Sequence, residues 1–238
     1  MVKNPATGGI IPGVEDRASL EGDTFDIGYT LGALYEYSDQ TRFGIGYRSQ
    51  VKHKLKGDIK FEGLMLPANQ DISARITTPA NLTIGAYHDI NDKWSVMAEF
   101  GRTYWSSFDT LDIYGENNGK MSTTEERWKD TTFYAIGASY QYNDQWKFRV
   151  GFAVDQSAVG QEYRTPRIPD SDRLWYSSGI EYKYNDDWTF NLGYTYIRAD
   201  KGKVKLLGYH DGDNARGSLQ ADYENDIHIL GFGASYNF

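Results

Sequence analysis

The sequence of 238 residues lacks cysteine, has few prolines (6) and methionines (4), and contains no long apolar run. Without cysteine, the protein forms no disulfide and has no thiolate for catalysis or metal binding. Mean hydropathy is −0.63, and no segment approaches the roughly 20 apolar residues of a membrane-spanning helix. The first residues have no apolar stretch of the kind that a secretory signal peptide contains.

Positive charge is also in short supply, because 25 Lys and Arg oppose 33 Asp and Glu, which gives a formal charge of −8. This acidity argues against a nucleic-acid partner, which needs a basic face, and against attachment to an anionic leaflet through basic residues. The chain is instead rich in glycine (25) and in aromatic residues, with 19 Tyr, 11 Phe and 6 Trp. Abundant Tyr and Gly predict an all-β protein.

The last segment shows the strand pattern most clearly. Apolar residues from Leu230 to Phe238 alternate with small or polar residues from Ile229 to Asn237. This period of two is typical of a strand with one apolar face. The same alternation recurs upstream and predicts nine strands, near residues 24–37, 41–58, 73–88, 93–109, 130–142, 146–156, 173–184, 188–201 and 219–238.

The predicted connections alternate between short and long. Three short turns carry related motifs, "HDINDKW" (88–94), "YNDQW" (142–146) and "YNDDW" (184–188), in which large aromatics surround Asn-Asp. Long loops are predicted near 59–72, 110–129, 157–172 and 202–218. Short turns at one end and long loops at the other are typical of a transmembrane β-barrel, whose interfacial aromatic belt would explain the collar of Tyr and Trp. A soluble β-sandwich also alternates, but it explains neither the loop asymmetry nor the gathering of aromatics at one end.

Several segments carry a family resemblance. "TRFGIGYRSQVKHKLKGD" (41–58), "TPANLTIGAYHDINDKWSVMAEFGRTYWSSFD" (78–109), "WKDTTFYAIGASYQYNDQWKFRVGFAVDQSAV" (128–159) and "RTPRIPDSDRLWYSSGIEYKYND" (164–186) resemble the FadL/TodX family. These proteins are outer-membrane channels for long-chain fatty acids and other hydrophobic molecules. The resemblance runs from about residue 20 to the C-terminus.

The resemblance implies an antiparallel transmembrane β-barrel of fourteen strands, plugged by an N-terminal hatch, from which ligand leaves through a gap in the wall. The nine predicted strands correspond to the C-terminal part of such a barrel, so we expect the hatch and first strands to be absent from this sequence. We expect residues 1–23 to be the remnant of an extracellular loop and residues 24–238 to be the barrel portion. Phe238 would complete the closing strand that the barrel-assembly machinery recognises.

Inward-facing cations are the candidate substrate-binding residues. A fatty acid brings a carboxylate, which Arg or Lys would hold by charge-assisted hydrogen bonds. Lys129 and Arg127 flank Trp128 before the fifth strand, and Arg149 and Arg173 fall on the polar face of their strands. In the family, a basic residue in this region contacts the ligand carboxylate. Alternatively, Arg149 and Arg173 only pair with Asp155 and Glu181, and "PDSDR" (169–173) pins its loop through Asp170 or Asp172.

Other functions have weaker support in the sequence. A general porin for hydrophilic solutes fits the inward glycines and mixed charge equally well, so only the family motifs favour a hydrophobic ligand. An outer-membrane lipid-modifying enzyme is the less favoured alternative, because four histidines are scattered and no G-x-S-x-G elbow occurs. The segment "YHDGDN" (209–214) has oxygen ligands for Ca²⁺ but lacks the spacing of an EF-hand. We expect no cofactor and no metal, and partners drawn from outer-membrane lipid, lipopolysaccharide and the barrel-assembly machinery.

Overall fold

The computed structural model describes residues 17–62, 69–115, 119–207 and 218–237, and these residues form antiparallel strands almost throughout. One 3₁₀ turn, Trp105–Ser107, is the helical element in this part of the chain. The strands are β1 (Arg17–Asp23), β2 (Thr30–Ser38), β3 (Thr41–Arg48), β4 (Val51–Glu62), β5 (Gln70–Thr78), β6 (Asn81–Asp89), β7 (Trp94–Thr103), β8 (Thr110–Tyr114), β9 (Lys120–Glu125), β10 (Thr131–Gln141), β11 (Trp146–Asp155), β12 (Arg173–Lys183), β13 (Trp188–Ala199), β14 (Gly202–Leu206), β15 (Leu219–Tyr223) and β16 (Asp226–Tyr236).

The main sheet has nine strands, in the order β16-β13-β12-β11-β10-β7-β6-β3-β2. Every neighbouring pair is antiparallel. The predicted all-β fold is therefore confirmed, and each of the nine predicted segments contributes one strand to the main sheet. Within the described residues, β2 pairs only with β3 and β16 only with β13, so the sheet has two open edges.

The short turns owe their shape to asparagine side chains. Asn143 Oδ1 accepts hydrogen bonds from the backbone N–H groups of Gln145 (3.0 Å) and Trp146 (2.9 Å). Asn91 and Asn185 do the same in the β6–β7 and β12–β13 turns. An Asn side chain that bonds its own backbone two residues on is a common turn device. The repeated motif is therefore one turn used three times.

The two faces of the main sheet differ in chemistry, and we name them the aromatic face and the glycine face. At the short-turn end of the aromatic face, Trp–Tyr pairs lie across neighbouring strands, with ring centroids 4.4–5.0 Å apart: Trp94–Tyr140, Trp146–Tyr182 and Trp188–Tyr236. On this face, the charged residues that the structure describes lie only at the long-loop end, at Arg102, Arg198 and Asp226. Trp94 and Arg102 are eight residues apart, which is about 26 Å along a strand. This length matches the roughly 9–11 residues with which a tilted strand of a barrel wall crosses a membrane.

The long-loop end differs from the prediction. The single strands predicted over 41–58 and 73–88 each break in two, near residues 49–50 and 79–80. The outer pieces belong to a second, five-stranded sheet in the order β1-β4-β5-β8-β9. The single strand predicted over 219–238 also divides, at residues 224–225, into β15 and β16. The strands β8, β9 and β14 lie in stretches that were predicted as loops, and β14 pairs with β15. The prediction of irregular loops was wrong at these positions, because strand pairing continues past the end of the main sheet.

A close approach of two backbones holds β1 against β4. Gly57 faces Gly22 in this register, and a Cβ atom on Gly57 would overlap the carbonyl group of Glu21. Residues 17–23 of the predicted loop remnant thus form a paired strand, and residues 1–16 lie outside the described residues. Phe238 also lies outside them. In the part of the chain that the structure describes, no helix has the length and apolarity needed to cross a membrane.

Candidate ligand-binding site

Glycines form a belt across the glycine face of the main sheet. The register pairs Gly44 with Gly85 and Gly137 with Gly151, and a further run pairs Gly179, Gly193 and Gly231 across three strands. Because glycine has no side chain, a groove of about 670 Å³ lies over five of these positions, Gly44, Gly85, Gly137, Gly151 and Gly179. Gly137 is the tightest point, since a Cβ atom there would come 3.1 Å from Met97 Cγ.

Arg149 and Arg173 lie on the glycine face and are both engaged by carboxylates. Arg149 forms an ion pair with Glu181 across β11 and β12, and donates to Asn191 Oδ1 (3.4 Å). Arg173 reaches Asp155 at 2.9 Å and Asp170 at 3.3 Å. The predicted ion pairs of both arginines are thus observed, as is the predicted pairing of Asp170 with Arg173. A ligand carboxylate would have to compete with these partners.

Trp128 anchors the segment that carries the other two candidates. Its indole packs edge-on against Phe108 (centroids 5.0 Å) and Trp105 (4.8 Å). The backbone before it turns sharply, because Arg127 has a positive φ of 42°. Both Glu126 N–H (2.8 Å) and Arg127 N–H (2.9 Å) donate to the Asp109 carbonyl. The aromatic cluster and these hydrogen bonds fix the backbone from which the side chains of Arg127 and Lys129 extend.

The side chains of Arg127 and Lys129 take different environments. The Arg127 guanidinium lies 3.3 Å from Glu125 and over the Tyr163 ring at 5.4 Å. The charge of Glu125 raises the pKa of Arg127, which therefore stays protonated at any working pH. The Lys129 ammonium has no ion-pair partner among the described residues, and Lys129 lines a polar cavity of about 520 Å³. Of the four predicted cations, Lys129 is the one available to an incoming anion.

Arg164 organises the wall of this cavity. It is buried, at 8% exposure, and its guanidinium donates to the carbonyl groups of Asp170 (2.6 Å), Lys203 (2.9 Å) and Val159 (3.4 Å). Backbone carbonyls alone satisfy this cation, so it joins the 157–172 loop to β14. Lys129 is tied to the same loop, since its N–H donates to the Ala158 carbonyl at 2.9 Å.

Two further lysines, Lys201 and Lys203, also line the cavity, together with Asp172 and Asp200. Lys201 is paired with Glu224, and the hydrogen bond to that carboxylate raises the pKa of Lys201. Sequence reasoning missed Arg164, Lys201 and Lys203. They reach the cavity through the β14–β15 hairpin and the 157–172 loop, and no local pattern signals that contact.

Asp130 secures the beginning of β10 beside Lys129. Its carboxylate accepts from Ser106 N–H (3.0 Å) and lies 3.3 Å from the Arg102 guanidinium. The hydrogen bonds from Ser106, together with Arg102, hold the pKa of Asp130 below its usual range. Over the described ranges, no cluster of three or more His, Asp or Glu side chains is placed to hold a metal ion. The "YHDGDN" segment lies outside those ranges.

Comparison with known proteins places this architecture in a family. The family model for outer membrane protein transport proteins (OMPP1/FadL/TodX) matches residues 2–238. The long-chain fatty acid transport protein of Escherichia coli O6:H1 is 30% identical over 247 residues, which cover 98% of this chain and 54% of that protein. Outer membrane protein P1 of Haemophilus influenzae is 28% identical over 236 residues, covering 94% of this chain and 48% of that protein.

Solved structures agree with the sequence comparison. A FadL homologue of Pseudomonas aeruginosa superposes with a TM-score of 0.84 at 25% identity, covering 98% of this chain and 57% of that one. The toluene transporter TodX of P. putida shares the fold, with a TM-score of 0.62 at 21% identity, covering 94% and 54%. This chain spans about half the length of the proteins it matches. The chain belongs to the FadL/TodX family of outer-membrane transport proteins, and its nine-stranded sheet is a portion of a β-barrel wall in the outer membrane.

Proposed function

We propose that the protein to which this chain contributes takes up long-chain fatty acids or other hydrophobic compounds across the outer membrane by passive, binding-guided diffusion. Membership of a family whose relatives are named for fatty-acid and toluene transport supports this proposal. The glycine-lined groove supports it too, because the walls of that groove are largely apolar. Catalysis is not part of the proposal, because the relatives that support it are named as transport proteins.

Uptake of labelled oleate tests the proposal. Cells that lack their own long-chain fatty acid transporter would express the full-length protein containing this chain, and insertion would be checked by heat-modifiable gel mobility. We expect oleate uptake well above that of cells with an empty vector. Correct insertion without oleate uptake, combined with flux of a hydrophilic sugar, would replace the proposal with a general porin.

We further propose that Lys129 is the residue that holds the carboxylate of an incoming fatty acid. Three observations support it: the free ammonium, the polar cavity that it lines, and the fixed backbone beside Trp128. Arg127 is the second choice, because Glu125 already neutralises its charge. Arg149 and Arg173 are weaker candidates, since both already have carboxylate partners.

The prediction for Lys129→Ala is a selective loss of binding. Removing a charge-assisted hydrogen bond costs about 1.5–3 kcal/mol, which is roughly tenfold or more in affinity. Oleate should therefore bind at least about tenfold more weakly, whereas its methyl ester should be little affected. Lys205→Ala is the matched control, because Lys205 lies two residues beyond Lys203 on β14 and does not line the cavity. Equal weakening of oleate and ester would mean that Lys129 only shapes the loop.

We propose two partners for the protein in the outer membrane. Lipopolysaccharide would surround the long-loop end, and the barrel-assembly machinery would bind β16. The apolar row of Leu230, Phe232, Ala234 and Tyr236 on the aromatic face of β16 supports the second. Site-specific crosslinking from Phe232 during assembly should trap the machinery. If crosslinks form only with lipid throughout assembly, that partner is wrong.

A further inference from the structure

The aromatic face carries a second groove, on the other side of the sheet from the glycine belt. It has a volume of about 690 Å³ and lies between Phe43 and Phe152. Three alanines on neighbouring strands, Ala86, Ala98 and Ala138, form its floor. The next rows of the same face toward the long-loop end carry larger groups, including Phe100 and Tyr134. The groove exists because small residues interrupt an otherwise bulky apolar band.

The short-turn end of the groove is polar. Thr41 Oγ1 and His88 Nδ1 are 2.9 Å apart on adjacent strands, and both residues line the groove. This contact occupies one imidazole nitrogen. The structure shows no partner for His88 Nε2 among the described residues, and the His88 side chain is exposed. Trp94 and Tyr140 pack together at the same level of the sheet, with centroids 4.6 Å apart.

The position of the groove in the membrane restricts which class of molecule could occupy it. In a barrel wall of the outer membrane, the face that carries the aromatic collar contacts lipid, and the short turns lie on the periplasmic side. The polar end of the groove therefore lies at the head groups of the inner leaflet, which consists of phospholipid. Lipid tails are as apolar as the groove, so the hydrophobic effect does not drive binding there. The binding free energy comes instead from shape complementarity and close packing, and hydrogen bonds at the head group add selectivity.

We propose that this groove binds one acyl chain of an inner-leaflet phospholipid, with the phosphate hydrogen-bonded at Thr41 and His88. A volume near 690 Å³ is within the range of about 300–1,000 Å³ for small-molecule sites. The site is continuous with the lipid-contacting face. Because Thr41 Oγ1 and His88 Nδ1 share one hydrogen, the pair keeps one further donor, the Thr41 hydroxyl or His88 Nε2–H, for a phosphate oxygen. The inference does not depend on which compound the channel transports.

A groove-filling substitution tests the proposal. Full-length protein in detergent micelles would be titrated with palmitoyl-oleoyl phosphatidylglycerol, and bound lipid would be counted by native mass spectrometry. We expect one retained phospholipid on the wild type and a several-fold weaker retention on Ala98→Phe, whose ring would fill the floor. Ala33→Phe is the matched control, because Ala33 lies on the same face opposite Ile45 and does not line the groove. Equal retention by the two variants would overturn the proposal.

The head-group contact has its own variant. Thr41→Val combined with His88→Ala should weaken phosphatidylglycerol about tenfold, the value of a lost charge-assisted bond, and leave a diacylglycerol with the same chains unchanged. This pair also decides the matter if Ala98→Phe does not fold, as judged by gel mobility. Equal loss of both lipids would overturn the phosphate contact. Displacement of phospholipid by lower concentrations of lipopolysaccharide or oleate would overturn the assignment of the occupant.

Discussion

The nine-stranded sheet and the long-loop end of the molecule are held together in different ways. In the sheet, the strands pair with their neighbours in continuous register, apart from a shift between Glu36 and Ser38 in β2. Each Asn-Asp turn is closed by a side chain two or three residues away. At the long-loop end, the contacts that matter span 24 residues from Asp130 to Ser106, 39 from Arg164 to Lys203 and 56 from Asn225 to Pro169. The sheet therefore distributes its stability over many equivalent bonds, whereas the loop end depends on a few particular side chains.

Of the substitutions considered, Arg164→Ala should destabilise the protein most, and it should open the long-loop end without opening the sheet. Each buried carbonyl left without its donor costs about 1–3 kcal/mol. The 157–172 loop should open, and amide hydrogen exchange at Ser157 and Asp200 should become faster, while exchange in β11 and β12 stays slow.

Arg167→Ala supplies the matched control for that experiment, because Arg167 is an exposed arginine in the same loop. Its exchange pattern should match that of the wild type. If Arg164→Ala also leaves exchange at Ser157 unchanged, then the loop does not depend on the buried guanidinium, and the contrast between the two regions is lost.

Gly137→Val should give an intermediate effect and sharpen the comparison inside the sheet. Its Cβ would lie 3.1 Å from Met97 Cγ and 3.3 Å from the Val150 carbonyl oxygen, and overpacking of this kind costs about 1–3 kcal/mol. Gly193 belongs to the same belt but has open space around it, so Gly193→Val should stay within about 0.5 kcal/mol of the wild type. Urea unfolding followed by gel mobility measures both. Equal midpoints would mean that the belt has no tight point.

Asp130→Asn should give the smallest effect, of about 0.5–1.5 kcal/mol at neutral pH, the net value of a hydrogen bond. The pKa of Asp130 is lower in the folded protein than in the unfolded chain. Its contribution is therefore present above the unfolded pKa of about 3.9 and is lost as the pH falls through the folded pKa. The difference between variant and wild type should shrink as unfolding is measured at more acidic pH. A difference that stays constant down to acid pH would contradict this account.

The sequence was informative wherever structure follows from near neighbours. The alternation of residues predicted nine strands, and the "YNDQW" and "YNDDW" turns were predicted because an asparagine that bonds its own backbone leaves a local signature. The break in the predicted strand 41–58 was not predictable. It depends on Ser49, whose N–H and side chain both bond the backbone of Tyr29, twenty residues away.

The residues of the candidate site also divide into those that the sequence predicts and those that it does not. Arg149 and Arg173 were identified together with their carboxylate partners, because the period of two shows which residues share a face of the sheet. Arg173 lies directly opposite Asp155, whereas Glu181 is diagonal to Arg149. Lys129 was identified from its position beside Trp128 and the family resemblance, and its role stays a prediction. Arg164 could not be identified, because its partners are backbone carbonyls, which every residue has.

The open edges of the main sheet have a consequence for closure. Because nine antiparallel strands alternate in direction, β2 and β16 run the same way, both from the long-loop end toward the short turns. Joining these two edges directly would create a parallel pair in an antiparallel wall. A closed antiparallel ring therefore requires an odd number of additional strands between β2 and β16, and the fourteen strands implied by the family resemblance would supply five. The strand directions restrict what could complete the ring. Five further strands satisfy the requirement when the first and the last of them run from the short-turn end to the long-loop end. Any even-numbered insert fails, and so does a second copy of this sheet in the same orientation, because its edge strands run the same way as β2 and β16.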